Sequence, residues 1–243
     1  MNDDAAGQGP HERPVGRRVT KGTQASKEWP ILFSAPMVRA LLDGSKTQTR
    51  RVVQGAPDDW APIGPEVYSP TVVDRNGDEQ PGPDAYGSGN DDGSDWIRCP
   101  YGQPGDRLWV REAFRLCAEA DSTPPRDTDA AYRMWYEADA PHQPGAGKLR
   151  PSMFMPRWAC RITLVVTGVR VERLQDISRG DAMAEGCPFP NMARGEDPRV
   201  WYEDLWCDLN GADSWRANPW VWVVEFRKTP NAKLCGPGRE EVR

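Results

Sequence analysis

Lys46, Thr49, Arg50 and Arg51 gather an amine, a hydroxyl and two guanidinium groups into one short segment, Gly44-Ser45-Lys46-Thr47-Gln48-Thr49-Arg50-Arg51. A threonine hydroxyl attacks an acyl carbon only when a base takes its proton, and a lysine amine can be that base if burial or nearby cations lower its pKa. Arg50 and Arg51 are such cations, and Arg51 could also hold negative charge as it develops. The same composition fits a solvated surface turn, with Lys46 and Arg50 in water and Thr49 favouring the start of a strand.

Histidine usage narrows the chemistry. The chain of 243 residues has two histidines, His11 and His142, both in segments without hydrophobic period. That disfavours histidine-based hydrolase triads, histidine-ligated metals and the zinc deaminase signature, leaving Lys, Glu, Asp, Thr, Ser and Cys as candidate catalysts. The six cysteines stand singly without a C-x-x-C pair, so they read as reduced thiols rather than a zinc knuckle or a disulfide framework. Neither a metal nor a cofactor is expected.

Several elements must hold the basic segment in place. Residues 36–43 read as a short helix with Pro36 in its first turn, an apolar stripe of Val38, Leu41 and Leu42, and Gly44 as a left-handed cap. Residues 31–33 form a strand before it and 50–54 a strand after it. Gly105 and Asp106 turn into a strand in which Leu108 and Val110 alternate with charged neighbours. Residues 131–137 make an aromatic strand. The longest β signal spans 159–174, with Ile162, Leu164 and Val166 alternating and Gly168 marking a bulge or bend. Ser178 caps a helix that runs through Glu185, with Asp181 completing a near capping box and Gly186 ending it. A second helix spans 198–210 with Val200, Trp201, Leu205 and Leu209 on one face, and 218–226 is an apolar closing strand.

A content of 38% hydrophobic and 28% charged residues suits a soluble globular protein. No apolar run approaches the ~20 residues of a membrane span, and the first residues lack a signal peptide's pattern, so a cytoplasmic protein with no membrane partner is expected. A net charge of −5 argues against bulk binding to a long duplex while permitting a local basic site. The 23 glycines and 24 prolines imply long irregular segments. The expected organisation is a disordered tail at 1–28, a single domain at 29–229 with insertions near 55–95 and 118–130, and a flexible tail at 230–243. The 55–95 insertion has room for a hairpin around the turn signal Asn76-Gly77. Short strands, few helices and no βαβ alternation predict an α+β fold: a small, bent sheet or barrel flanked by helices.

Gly44-x-Lys46-x-x-Thr49-x-Arg51, the turn and strand 105–110, the strand and helix 169–185 and the closing strand 220–226 together make the chain resemble the ASCH family. That family has a fold similar to the PUA RNA-binding domain. The match covers most of 30–228 and looks most like members carried by phages and prophages, which implies the cytoplasm of a bacterial host. One branch of the family comprises bacterial N4-acetylcytidine amidohydrolases, in which a lysine, a threonine and a glutamate do the work. The resemblance assigns these roles to Lys46, Thr49 and Glu185. Gly44, Arg50, Arg51 and Trp109 are the candidate substrate-binding residues, although those enzymes tend to be apolar where this chain has Arg50.

Under that resemblance the partner is RNA or a modified nucleoside. Thr49 could attack the acyl carbonyl with Lys46 as base and Glu185 relaying protons, or Glu185 could activate water with Lys46 stabilising charge. A non-catalytic reader of modified bases or RNA and a phage morphogenesis factor are the other functional classes. Among the 11 tryptophans, Trp220 and Trp222 should point to one side of the last strand, where they build the core or line a cavity; core packing is the ordinary role, while an indole such as Trp109 can also stack on a base.

Overall fold

A computed structural model describes residues 26–69, 71–139, 143–188 and 197–229. The strands are β1 (Glu28–Leu32), β2 (Gln48–Val52), β3 (Glu66–Tyr68), β4 (Thr71–Val73), β5 (Glu79–Pro81), β6 (Ala85–Ser88), β7 (Ile97–Arg98), β8 (Arg107–Arg111), β9 (Phe114–Leu116), β10 (Met134–Tyr136), β11 (Thr163–Arg173) and β12 (Trp220–Lys228). The α-helices are α1 (Ala35–Asp43), α2 (Arg179–Ala184) and α3 (Pro198–Asn210). The result is a mixed, strand-rich structure.

Five strands form the main sheet in the order β1-β8-β11-β12-β2. β1 runs parallel to β8, and the other neighbours are antiparallel. Among the described residues backbone pairing does not close this sheet into a barrel, and β1 and β2 remain its edges. The Arg51 guanidinium nevertheless spans from one edge to the other, donating to the Leu32 carbonyl at 2.8 Å.

β12 explains the layering. Val221 and Val223 face α2 and α3, packing with Leu174, Ile177, Tyr202 and Trp206. Trp222, Val224 and Phe226 point the other way, into the larger core with Ile31, Val38, Leu41 and Leu108. A strand covered on both faces needs an unbroken apolar run, which Trp220-Val221-Trp222-Val223-Val224 supplies. Trp220 packs against the same core as Trp222, as their alternation predicts.

The β11–β12 register slips between Val166 and Gly168, so the expected bulge lies there. The 55–95 insertion carries a three-stranded sheet, β3-β6-β7, and the β4–β5 hairpin, whose turn uses Gly77 at φ 89°. Residues 118–120 and 125–127 are short 3-10 turns within the second insertion.

Several sequence expectations shift. The folded body begins before residue 29: the Lys27 amide donates to Asp106 Oδ1, and Glu28 opens β1. Residues 1–25, His11, His142 and the tail from 230 lie outside the described residues. The long strand starts at Thr163, because residues 157–159 form a 3-10 turn. α1 buries Met37, Val38 and Leu41, leaving Leu42 exposed. α3 has the expected bounds but buries Pro198, Tyr202 and Trp206, four residues apart. Val200 and Leu209 are exposed, because the two large aromatic rings rather than the aliphatic side chains fill the space beneath the sheet.

Candidate active site

Gly44 ends α1 in the left-handed conformation at φ 87°. Glycine adopts that geometry without strain, so the chain can turn back sharply. The next residues are then stitched to three elements. The Lys46 amide donates to Ala40 O of α1, the Thr47 amide donates to Ala184 O at the end of α2, and Thr47 O accepts from the Phe226 amide of β12. Strand β2 follows two residues earlier than expected, at Gln48.

That anchoring buries Lys46, Gln48, Thr49 and Arg50, while Gly44, Ser45 and Thr47 stay exposed. Lys46 is 2% exposed, Thr49 0% and Arg50 1%. The surface-turn reading therefore does not describe them.

α2 brings the glutamate. Its capping box is complete, with Ser178 Oγ accepting from the Asp181 amide and Asp181 Oδ2 accepting from the Ser178 amide. Glu185 caps the other end, and Gly186 follows at φ 99°. A backbone bridge places Lys46 opposite Glu185, as in a cross-strand pair, so the side chains emerge together. Lys46 Nζ donates to Glu185 Oε2 at 2.5 Å and to Glu185 O at 2.8 Å. Burial pulls the Lys46 amine below its ordinary pKa, with the Glu185 carboxylate opposing.

Alternation along β2 sends Gln48 and Arg50 to the α2–α3 face and Thr49 and Arg51 to the opposite face. Arg50 lies in a charged network: its guanidinium contacts Glu172 Oε1 at 2.5 Å, Asp181 Oδ2 at 3.4 Å and Glu185 Oε1 at 3.5 Å. It also donates to Gln48 Oε1 at 2.5 Å. Arg170 extends the network to Glu172, Asp181 and Glu225. Burial pushes the Asp181 carboxyl up, but the Ser178 hydroxyl, the Gln48 amide, Arg50 and Arg170 outweigh it and hold the group well below the carboxylate range. On the other face, Arg51 donates to Thr49 Oγ1 at 2.9 Å. The Phe33 ring lies 5.7 Å from Lys46 Nζ and 5.3 Å from the Arg51 guanidinium.

One end of this network borders a cavity of about 510 Å³, within the range of small-molecule sites. Glu185, Arg50 and Arg51 line its polar part, and Phe33, Tyr202, Trp206 and Leu205 supply much of its apolar wall. Burial, reinforced by Glu185, raises the Tyr202 hydroxyl well above its ordinary pKa, so it stays protonated.

The structure thus brings Lys46, Glu185, Arg50 and Arg51 together, with Thr49 held through Arg51. Gly44 does not line the cavity; its part is to turn the chain. Trp109 does not line it either. It projects from β8 away from the buried side chains Leu108 and Val110, with the Arg111 and Arg157 guanidiniums 5.3 and 5.7 Å from its ring. Sequence reasoning missed Phe33, Tyr202 and Trp206. The i, i+4 aromatic pair on α3 was the available signal for the last two.

Among the described residues no group of three or more His, Cys, Asp or Glu side chains is arranged to hold a metal, and no helix is long and apolar enough to cross a membrane. Compared with family models, curated proteins and solved structures, the chain matches none of them, and its functional reading rests on the geometry of these residues.

Proposed function

We propose that this chain is a PUA-like, ASCH-type domain that binds a modified nucleoside and hydrolyses an N-acyl amide such as that of N4-acetylcytidine. The observation that carries the proposal is the buried Lys46–Glu185 pair beside a cavity of nucleoside size. A buried ion pair seldom stabilises a fold more than apolar groups of the same volume would. Its presence beside a cavity is better accounted for by chemistry there.

Charge balance favours a nucleoside over an RNA strand. Lys46, Arg50 and Arg170 are matched against Glu172, Asp181, Glu185 and Glu225. A network already neutralised in this way offers little attraction to a phosphate backbone.

Of the two catalytic assignments, the contacts favour Glu185 as the base. Glu185 borders the cavity, whereas the Lys46 amine is fully enclosed and already donates to it. Water attacks the acyl carbon while Glu185 takes its proton. Arg51, which lines the cavity, stabilises the resulting charge, while Lys46 holds the Glu185 carboxylate in place. The tetrahedral intermediate then collapses, the carbon–nitrogen bond breaks, and the proton passes from Glu185 to the leaving amine. The products are cytidine and acetic acid, which releases its remaining proton to solvent as acetate.

Thr49 supports a second reading, a non-catalytic reader of modified bases. Its hydroxyl accepts from Arg51 and makes no hydrogen bond to Lys46, so the amine is not positioned to activate it as a nucleophile. Incubation with N4-acetylcytidine, followed by chromatographic detection of cytidine, tests the hydrolase. Cytidine formation that disappears in Glu185→Gln supports it; binding without cytidine overturns it in favour of the reader.

A further inference from the structure

Tyr202 carries a polar group that its own packing does not use. The ring lies in the cluster beneath the sheet with Trp206, Val221 and Val223, and the residue is 3% exposed. Its hydroxyl makes no hydrogen bond among the described residues, and a phenylalanine ring would fill the same space. Unpartnered donors such as Arg50 Nε and Trp206 Nε1 are sealed in the protein; the Tyr202 hydroxyl is not, and Tyr202 borders the cavity. A buried tyrosine hydroxyl ordinarily finds a partner, so an unmatched one open to a ligand cavity points to an acceptor on the ligand.

The ring also stands at the polar end of that cavity. Its centroid is 5.8 Å from the Arg50 guanidinium, which contacts Glu185 Oε1 at 3.5 Å, so the phenol and the carboxylate meet the same cation. Residues 202, 205, 206, 209 and 210 line the cavity as one face of α3, with Tyr202 at the end that reaches Arg50.

We infer that Tyr202 is a further catalytic residue, whose hydroxyl donates a hydrogen bond to the acyl oxygen of the amide substrate. As water adds to the acyl carbon, the carbonyl π pair moves onto that oxygen, where the phenol O–H and Arg51 hold the developing charge. The phenol keeps its proton throughout, because burial and the Glu185 carboxylate raise its pKa well above the ordinary value. Proton transfer therefore stays among water, Glu185 and the leaving amine. When the intermediate collapses, the pair returns to the carbon as the carbon–nitrogen bond breaks. This inference rests on the hydrolase reading above for its substrate.

Tyr202→Phe in the full-length protein is the test. The variant keeps the ring and removes a hydroxyl that no protein group uses, so its melting temperature should equal or exceed the parent's. Its kcat for N4-acetylcytidine should fall about a hundredfold, with KM changed about threefold or less. A kcat within about fivefold of the parent's overturns the inference, and a fall in melting temperature assigns the hydroxyl a structural role instead. The infrared carbonyl stretch of bound N4-acetylcytidine, labelled with carbon-13 at the acetyl carbonyl, gives a readout independent of turnover. It is recorded in Glu185→Gln, and in the parent where the parent does not turn over. The stretch should lie at lower frequency with Tyr202 present than with Tyr202→Phe added, and identical stretches overturn the inference. Hydrolysis with neither readout altered by Tyr202→Phe overturns this inference and leaves the hydrolase reading standing. A stretch that depends on Tyr202 in a parent without turnover does the reverse, and no binding of the labelled amide overturns both.

Discussion

Lys46 and Glu185 lie 139 positions apart and meet twice, since the lysine amine donates both to the glutamate carboxylate and to its backbone carbonyl. The second contact fixes the amine to the end of α2 regardless of how the carboxylate turns.

Removing one partner leaves the other buried and uncompensated. Lys46→Ala and Glu185→Ala should each lower stability by about 3 kcal/mol, whereas Lys46→Met combined with Glu185→Leu should recover most of that loss. Urea denaturation measures this, and the same variants are assayed with N4-acetylcytidine. A stable double variant that retained hydrolysis would refute the role of the pair.

The Lys46 amine gives stability a distinctive alkaline limb. Its folded pKa lies below its ordinary value of 10.5, so between the two the unfolded chain binds more protons at this position than the folded one. Stability relative to Lys46→Met should therefore rise with pH through that window. Parallel denaturation curves of the two proteins from pH 7 to the alkaline limit measure the difference, and a flat or falling difference would count against the buried amine.

Asp181 acts at the other end of the scale. Its depressed pKa means that its contribution is fully present above 3.8, the ordinary carboxyl value, and is lost as pH falls through the lower folded value. Asp181→Asn should lower stability by about 1 kcal/mol at neutral pH through the weakened cap. The variant should also lose less than the wild type on further acidification, as followed by thermal melts below pH 5.

Thr49 separates the two catalytic assignments. If water is the nucleophile, Thr49→Val costs about tenfold or less in kcat, since Arg51 keeps the Arg50 and Leu32 carbonyls as acceptors. Loss of a hundredfold or more, with recovery in Thr49→Ser, would instead identify the hydroxyl as the attacking group.

Gly186 and Gly44 make a paired test of the site's frame. A Cβ at Gly186 would lie 3.0 Å from Ala40 Cβ and 3.3 Å from Lys46 Cβ, whereas at Gly44 it meets open space. Both have positive φ, so Gly44→Ala should cost about 1 kcal/mol. Gly186→Ala should cost more, about 2–3 kcal/mol, and should also reduce turnover by displacing Lys46.

Local chemistry was the legible part of this sequence. The Ser178 cap, the bounds of α3, the Gly168 bulge and the Gly44 turn all follow from residue types within a few positions. Long-range pairing was not legible: nothing near Glu28 announces that β1 runs parallel to β8, because that register is set by the shared core. The identity of Lys46, Thr49 and Glu185 could be proposed from sequence, but not the burial of Lys46, Gln48, Thr49 and Arg50. Burial depends on the stitches to Ala40, Ala184 and Phe226. The face of α3 is not legible from its aliphatic spacing, because the larger surfaces of Tyr202 and Trp206 decide the packing.

The reach of Arg51 to the Leu32 carbonyl bears on how this chain behaves among its own copies. Open sheet edges recruit neighbouring chains through unmet backbone groups. Here a charged side chain from one margin occupies a carbonyl at the other. Arg51→Leu would free that group and add apolar surface beside it, so the variant should aggregate at concentrations where the parent remains dispersed.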